Sequence, residues 1–221
     1  MQTYKILTLS SLISAYSLSV LHFQSLKLSE TQSFLIGISG AANYFFSSSP
    51  KPVKMISKHR PTKSITEFPF IFSVIAQTAL HLLTLHYVMQ EVGVKFTPEK
   101  DLNINNDLEF IPTFLNTVVF LFSLVSQNCI FLFNHAGEPF MESLQKKPKY
   151  FKALIFPIVI GWVLMLNLND EISKMLELTF DGIPVEATYK LAGVTALVIF
   201  GNWGISLADK LLSYGKIYDY I

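Results

Sequence analysis

The residues of this 221-residue chain that could do chemistry are polar side chains set inside otherwise apolar stretches. In YKILTLSSLISAYSLSVL, residues 4–21, Ser10, Ser14 and Ser17 recur at i, i+4 and i+7 and so share one face of a helix. Gln77 and His81 share a face in the same way, and Asn43, Asn116, Gln127, Asn128 and Asn202 lie in further apolar runs. Two uses suit such residues. They can line a wet cavity, or they can hydrogen-bond one helix to the next, because an unpaired polar group in hydrocarbon costs several kcal/mol. Helix-to-helix bonding is the plainer use of small hydroxyls, which also let backbones approach closely. A proton relay would set a carboxylate beside His81, and no apolar run carries Asp or Glu near its middle.

Motifs for self-sufficient catalysis are missing. The chain has no GxxxxGK[ST] phosphate loop, no HExxH, no GxGxxG after a strand and no nucleophile elbow. Hard cations want several oxygen ligands including acids, so the lack of central carboxylates also disfavours an ordinary cation pump. The single cysteine, Cys129, sits in an apolar run and has no companion for a disulfide or a thiolate metal site. The expectation is therefore no catalytic, cofactor-binding or metal-ligating residue. The candidates are cavity-lining or helix-packing residues: Ser10, Ser14, Ser17, Asn43, Gln77, His81, Asn116 and Asn128.

The elements that position them are membrane helices. Hydrophobic residues make up 51% of the chain and charged residues only 15%, outside the range of soluble globular domains. The formal charge of +1, with no basic stripe among aromatics, argues against a nucleic-acid partner. Six windows are long enough to span a bilayer: residues 4–23, 31–48, 68–89, 114–133, 151–168 and 189–212. Pro157 inside the fifth is expected to kink it. No cleavage pattern follows the first window, which reads as a retained span rather than a signal peptide.

Loop charge orients them. The loop at 49–67 carries Lys51, Lys54, Lys58, Arg60 and Lys63, and the loop at 134–150 with its flank carries Lys146, Lys147, Lys149 and Lys152 against Glu138 and Glu142. The other two loops are acidic, through Glu91, Glu99, Asp101, Asp107 and Glu109, and through Asp170, Glu171, Glu177, Asp181 and Glu186. Basic loops stay in the cytosol, which implies an even number of spans with both termini cytosolic. Asp209 and Lys210 then fall at the cytosolic end of the last span, where charge reaches water cheaply.

Three stretches together carry a family resemblance. YKILTLSSLISAYSLSVL, SSSPKPVKMISKHRP and GEPFMESL resemble, in order and in placement between spans, the C-terminal membrane part of type V-A P-type ATPases, the endoplasmic-reticulum transmembrane-helix dislocases. The departures are His59, where the family usually has an acid, and Glu138, where it often has His. The resemblance implies an all-α bundle whose six helices match the fifth to tenth of the P-type core, in the endoplasmic-reticulum membrane. It also implies a second span, with Gly37, Gly40 and Asn43, nearest the substrate cavity, and a first span that transmits motion from a phosphorylation domain.

For a complete enzyme the resemblance implies ATP and magnesium as cofactors, and the lipid bilayer and transmembrane-helix substrates as partners. The DKTGT aspartate, the nucleotide-binding domain and the actuator domain that such an enzyme needs are not in this sequence. The chain by itself is expected to be inactive: a fragment, or one half of a split pump whose catalytic half acts in trans. Two alternatives stay open. One is a non-enzymatic membrane scaffold that keeps the bundle. The other is an unrelated secondary transporter, which predicts an inverted repeat and interrupted helices that the sequence does not show.

Overall fold

The computed structural model describes residues 1–48, 64–97, 110–138 and 141–215. The basic residues Lys51 to Lys63 with Pro50, Pro52, His59 and Pro61, the acids Glu99 to Glu109, Pro139 and Phe140 of GEPFMESL, and Lys216 lie outside the described residues. Among those described, the secondary structure is helical: α1 Gln2–Phe23, α2 Glu30–Ser47, α3 Phe68–Val88, α4 Phe114–Phe133, α5 Pro148–Met165, α6 Asp170–Met175 and α7 Val185–Gly215. A π-helical stretch, Met89–Val94, prolongs α3, and a single 3-10 turn, Leu144–Lys146, precedes α5.

Helix ends follow local chemistry. Ser29 caps α2 in a capping box with Gln32, which satisfies orphan donors on both sides of the first turn. Thr113 caps α4 by accepting from the Asn116 backbone N–H, and Pro148 starts α5 where no helical donor is needed. Three helices stop in the same way. Ser25, Asn167 and Glu177 take positive φ, and the next residue's N–H turns back to Leu21, Val163 and Ser173 respectively. These are Schellman closures, each with a leucine after the left-handed residue. Leu26 and Leu178 are buried by them.

α4 is the axis of the bundle. From Phe114 to Phe131 every residue but Gln127 is buried, because α1, α2, α3, α5 and α7 all pack against it. A helix apolar on all sides is stable only in such a position or in lipid. The outer helices bury one stripe and leave large apolar residues exposed, among them Leu7, Phe34, Ile75, Leu83, Phe156 and Phe200. Among the described residues five helices are long and apolar enough to cross a membrane: Gln2–Phe23, Phe68–Val94, Phe114–Phe133, Pro148–Met165 and Val185–Ser213. The chain is an integral membrane helix bundle.

α2, the counterpart of the second expected span, is not among those five, since Glu30, Gln32 and Asn43 make it less apolar. It nevertheless runs the length of the bundle. At its start Gln32 donates to the Leu176 carbonyl, and at its end Tyr44 meets Ser10 and Phe46 meets Tyr150. Buried partners make a polar helix tolerable at membrane depth. Six helices thus alternate in direction, and the two ends of the described chain meet at one face, where Lys5 of α1 pairs with Asp209 of α7 at 2.8 Å. α5 passes unbroken through Pro157 as a single helix.

Candidate functional site

The hydroxyl face of α1 is spent on neighbouring helices. Ser10 hydrogen-bonds the Tyr44 hydroxyl of α2 at 2.8 Å, Ser14 accepts from Gln127 Nε2 of α4 at 2.6 Å, and Ser17 accepts from Ser123 Oγ of α4 at 2.9 Å. The i, i+4, i+7 spacing is what lets one face reach α2 and α4 along its length. Ser10 and Ser17 are buried.

A second cluster joins α2 to α4. Asn43 Nδ2 donates to Asn128 Oδ1 at 2.8 Å, Ser39 Oγ donates to the same oxygen at 3.2 Å, and Asn128 Nδ2 turns back to the Leu124 carbonyl. Asn43 Oδ1 is buried with no partner. α3 is held on both flanks. Gln77 and Asn134 exchange two bonds, at 3.0 and 2.7 Å, and His81 Nε2 meets the Asn202 amide of α7 within 3.0–3.3 Å. His81 Nδ1 is buried and unpartnered. Asn116 lies at the other end, donating to the Lys27 carbonyl at 2.7 Å.

These residues do not converge on one chamber. They form separate bridges spread around α4, and the chemistry available to them is hydrogen bonding between helices. Among the described residues no group of three His, Cys, Asp or Glu comes together that could hold a metal ion. Open surface runs along α2 and part of α7. Space is free around Gly37 and Gly40, whereas the Gly161 position on α5 would bring a Cβ within 2.8 Å of Val125, and that of Gly201 on α7 within 2.7 Å of Leu80. Close approach explains Gly161 and Gly201; Gly193 and Gly204 of α7, like the glycines of α2, face no neighbour in this chain.

The face that gathers the chain ends holds groups that spacing alone did not single out. Gln2 accepts from the Ala136 backbone N–H at 2.8 Å and reaches His135 at 3.5 Å, while His135 Nε2 lies 3.4 Å from the Glu142 carbonyl. Burial holds the His135 imidazole below its usual range, and the charges of Lys147 and Lys210 push in the same direction. Glu138 pairs with Lys146 and raises that exposed ammonium. Asp209 is not left to water but is taken by Lys5, so the expectation of cheap exposure holds for Lys210 and not for its neighbour. Gln32 was legible through the Ser29-x-x-Gln32 capping pattern; its bond to Leu176 was not, because Leu176 is remote in sequence.

No protein-family model matches the chain. It is 30% identical over 206 residues, 92% of its length, to the endoplasmic reticulum transmembrane helix translocase of Saccharomyces cerevisiae. It is 32% identical over 177 residues to the protein of the same name in Schizosaccharomyces pombe, and 35% identical over 176 residues to a probable manganese-transporting ATPase of Arabidopsis thaliana. The match takes in 16%, 14% and 15% of those proteins respectively, so the chain spans about a sixth of the length of the curated relatives it matches. Identity along most of the chain, on a bundle of alternating membrane helices, fixes its kinship: it belongs to the type V P-type ATPase family that the endoplasmic-reticulum transmembrane helix translocases represent.

Proposed function

We propose that this chain is the membrane-support portion, and part of the substrate cavity, of an ATP-driven translocase that removes mistargeted transmembrane helices from the endoplasmic-reticulum membrane. The carrying observation is the match along 92% of the chain to a translocase of that name. The charge of the loops supports an orientation with both described ends in the cytosol. The free space beside Gly37 and Gly40 supports α2 as the helix nearest the substrate. A transmembrane substrate has apolar sides and an occasional polar group, and α2 offers small residues with Asn43 behind them.

ATP hydrolysis belongs to polypeptide outside these 221 residues, either continuous with them or in trans. The chain's own donors do not fit magnesium and nucleotide: the DKTGT aspartate is absent from the sequence, and no acid cluster forms among the described residues. The chain's share of the work is mechanical. α1 is tied to α2, α4 and α7 by the bridges above, so force applied to its cytosolic end would be passed to the bundle and to α2. The second reading is a membrane scaffold that keeps the helix bundle without activity of its own.

One chimaera tests both. Residues 4–212 replace the matching segment of the S. cerevisiae translocase in cells lacking the native enzyme. The expected result is vanadate-sensitive ATPase activity and renewed clearance of a mistargeted single-span reporter. A chimaera that hydrolyses ATP in the endoplasmic reticulum but leaves the reporter in place overturns the substrate role, and one that inserts stably yet never hydrolyses ATP favours the scaffold.

A further inference from the structure

Where α4 ends, α5 begins and α7 reaches the same face, the structure leaves basic charge without a counterpart. Lys147, the residue before α5, has its ammonium nitrogen fully buried with no hydrogen-bond partner. An ammonium carries three donors, and leaving them unmet away from water is costly. Tyr150 is 1% exposed, and its hydroxyl is also buried and unpartnered. His135 stands beside Tyr150, ring centroids 5.5 Å apart, within the fields of both Lys147 and Lys210.

A cleft of about 120 Å³ opens next to His135, lined also by Phe133, Trp203, Ser206 and Lys210. Ser206 already donates to the Phe133 carbonyl at 2.8 Å. Of the acids near this face, Asp209 is engaged with Lys5 and Glu138 with Lys146, while Glu142 stands beside His135 through its backbone carbonyl; neither Lys147 nor Lys210 has a carboxylate partner among the described residues. The site lies at the level of the helix ends, with Trp203, 58% exposed, at its rim. A half-exposed tryptophan suits the headgroup layer, and basic pockets between helix ends suit anionic headgroups.

We propose that this cluster is a binding site for a phosphomonoester presented at the membrane surface, a lipid headgroup, with Lys210 in the cleft wall and Lys147, whose buried nitrogen lies outside that wall, as its cations. The dianion supplies acceptors for the orphaned ammonium and offsets the paired positive charge around His135. The site rests on the membrane bundle alone; only its assignment to the cytosolic leaflet rests on the orientation proposed above.

The test uses the full chain in phosphatidylcholine nanodiscs doped with phosphatidic acid or, as an anionic control, phosphatidylserine, with retained lipid read by native mass spectrometry. Phosphatidic acid is retained selectively, and the double variant Lys147→Gln, Lys210→Gln lowers its retention by about tenfold or more. Lys147→Arg keeps it. Lys146→Gln removes the same charge from the exposed partner of Glu138 and leaves retention unchanged. As a second readout, binding raises the titration midpoint of the His135 imidazole seen by NMR, since the anion opposes the lysines.

If inorganic phosphate added to lipid-free protein moves that midpoint equally well, the phosphate chemistry stands with a soluble source. Equal loss of retention in Lys146→Gln and in the double variant, or no loss in the double variant, overturns the site. No ATPase and no helix substrate enter the assay, so its failure is distinct from failure of the translocase reading.

Discussion

Asn128 carries the hydrogen-bonded part of the α2–α4 contact, because its Oδ1 takes donors from both Ser39 and Asn43, while Tyr44 packs edge-on against Phe131 beside it. Interhelical hydrogen bonds in membranes contribute on average about 0.6 kcal/mol, up to about 1.7. Asn128→Leu removes two and strands the Asn43 amide, so a loss of about 1–2 kcal/mol is expected in unfolding from mixed micelles, with α2 the helix released. No measurable loss would mean that apolar packing alone seats α2. His135 gives a pH signature. Its folded-state pKa lies below the ordinary value of 6.5, so the unfolded chain takes up the proton first as pH falls. Stability contributed at neutral pH is therefore lost on acidification through and below 6.5. A thermal-unfolding series should show the midpoint falling over that window in the native chain and a flatter response in His135→Gln.

At the scale of elements, the glycines separate packed from open helix faces. A Cβ at Gly161 meets Val125 Cγ2, a β-branched side chain with little room to turn, so Gly161→Ala is expected to destabilise by about 1 kcal/mol or more. Gly37→Ala meets nothing in this chain and should leave stability unchanged or slightly raised, alanine being the better helix former. The same Gly37 position becomes informative in the complete translocase. A bulky Gly37→Phe that leaves folding intact yet slows reporter clearance would support a substrate path along α2; normal clearance would remove α2 from that path. The Schellman closures at Ser25, Asn167 and Glu177 show that these helices end by backbone chemistry rather than by glycine, which is why composition gave no warning of them.

For the whole molecule, the Lys5–Asp209 pair holds the first and last helices together at one face. Lys5 is nearly enclosed and Asp209 partly so, and a charge-assisted bond in that setting is expected to contribute about 2 kcal/mol, read as the coupling between Lys5→Gln and Asp209→Asn in a double-mutant cycle. A coupling near zero would mean that helix packing alone closes the bundle. Orientation is testable at the same scale. With Cys129 buried and replaced by serine, single cysteines placed at Gln2 and at Glu142 should label from the cytosolic side of microsomes, and one at Glu171 only after the membrane is opened. Labelling of Gln2 and Glu171 from the same side would overturn the alternating arrangement.

Composition, hydrophobic run length and charge alternation determined that this is a membrane helix bundle, and they did so because lipid admits few ways of satisfying a backbone. The i, i+4, i+7 serines of YKILTLSSLISAYSLSVL determined that α1 carries a polar face. Which helices that face meets was decided only by the tertiary structure, since Tyr44, Ser123 and Gln127 are distant in sequence and no spacing rule reaches them. The same holds for α2, whose composition is marginal for lipid until Gln32 and Asn43 find partners on the α6–α7 segment and on α4. Lys147 and Lys210 read in the sequence as ordinary flanking charge. Only the fold sets both against His135, because a loop and a distant helix end must close on one another before their fields overlap.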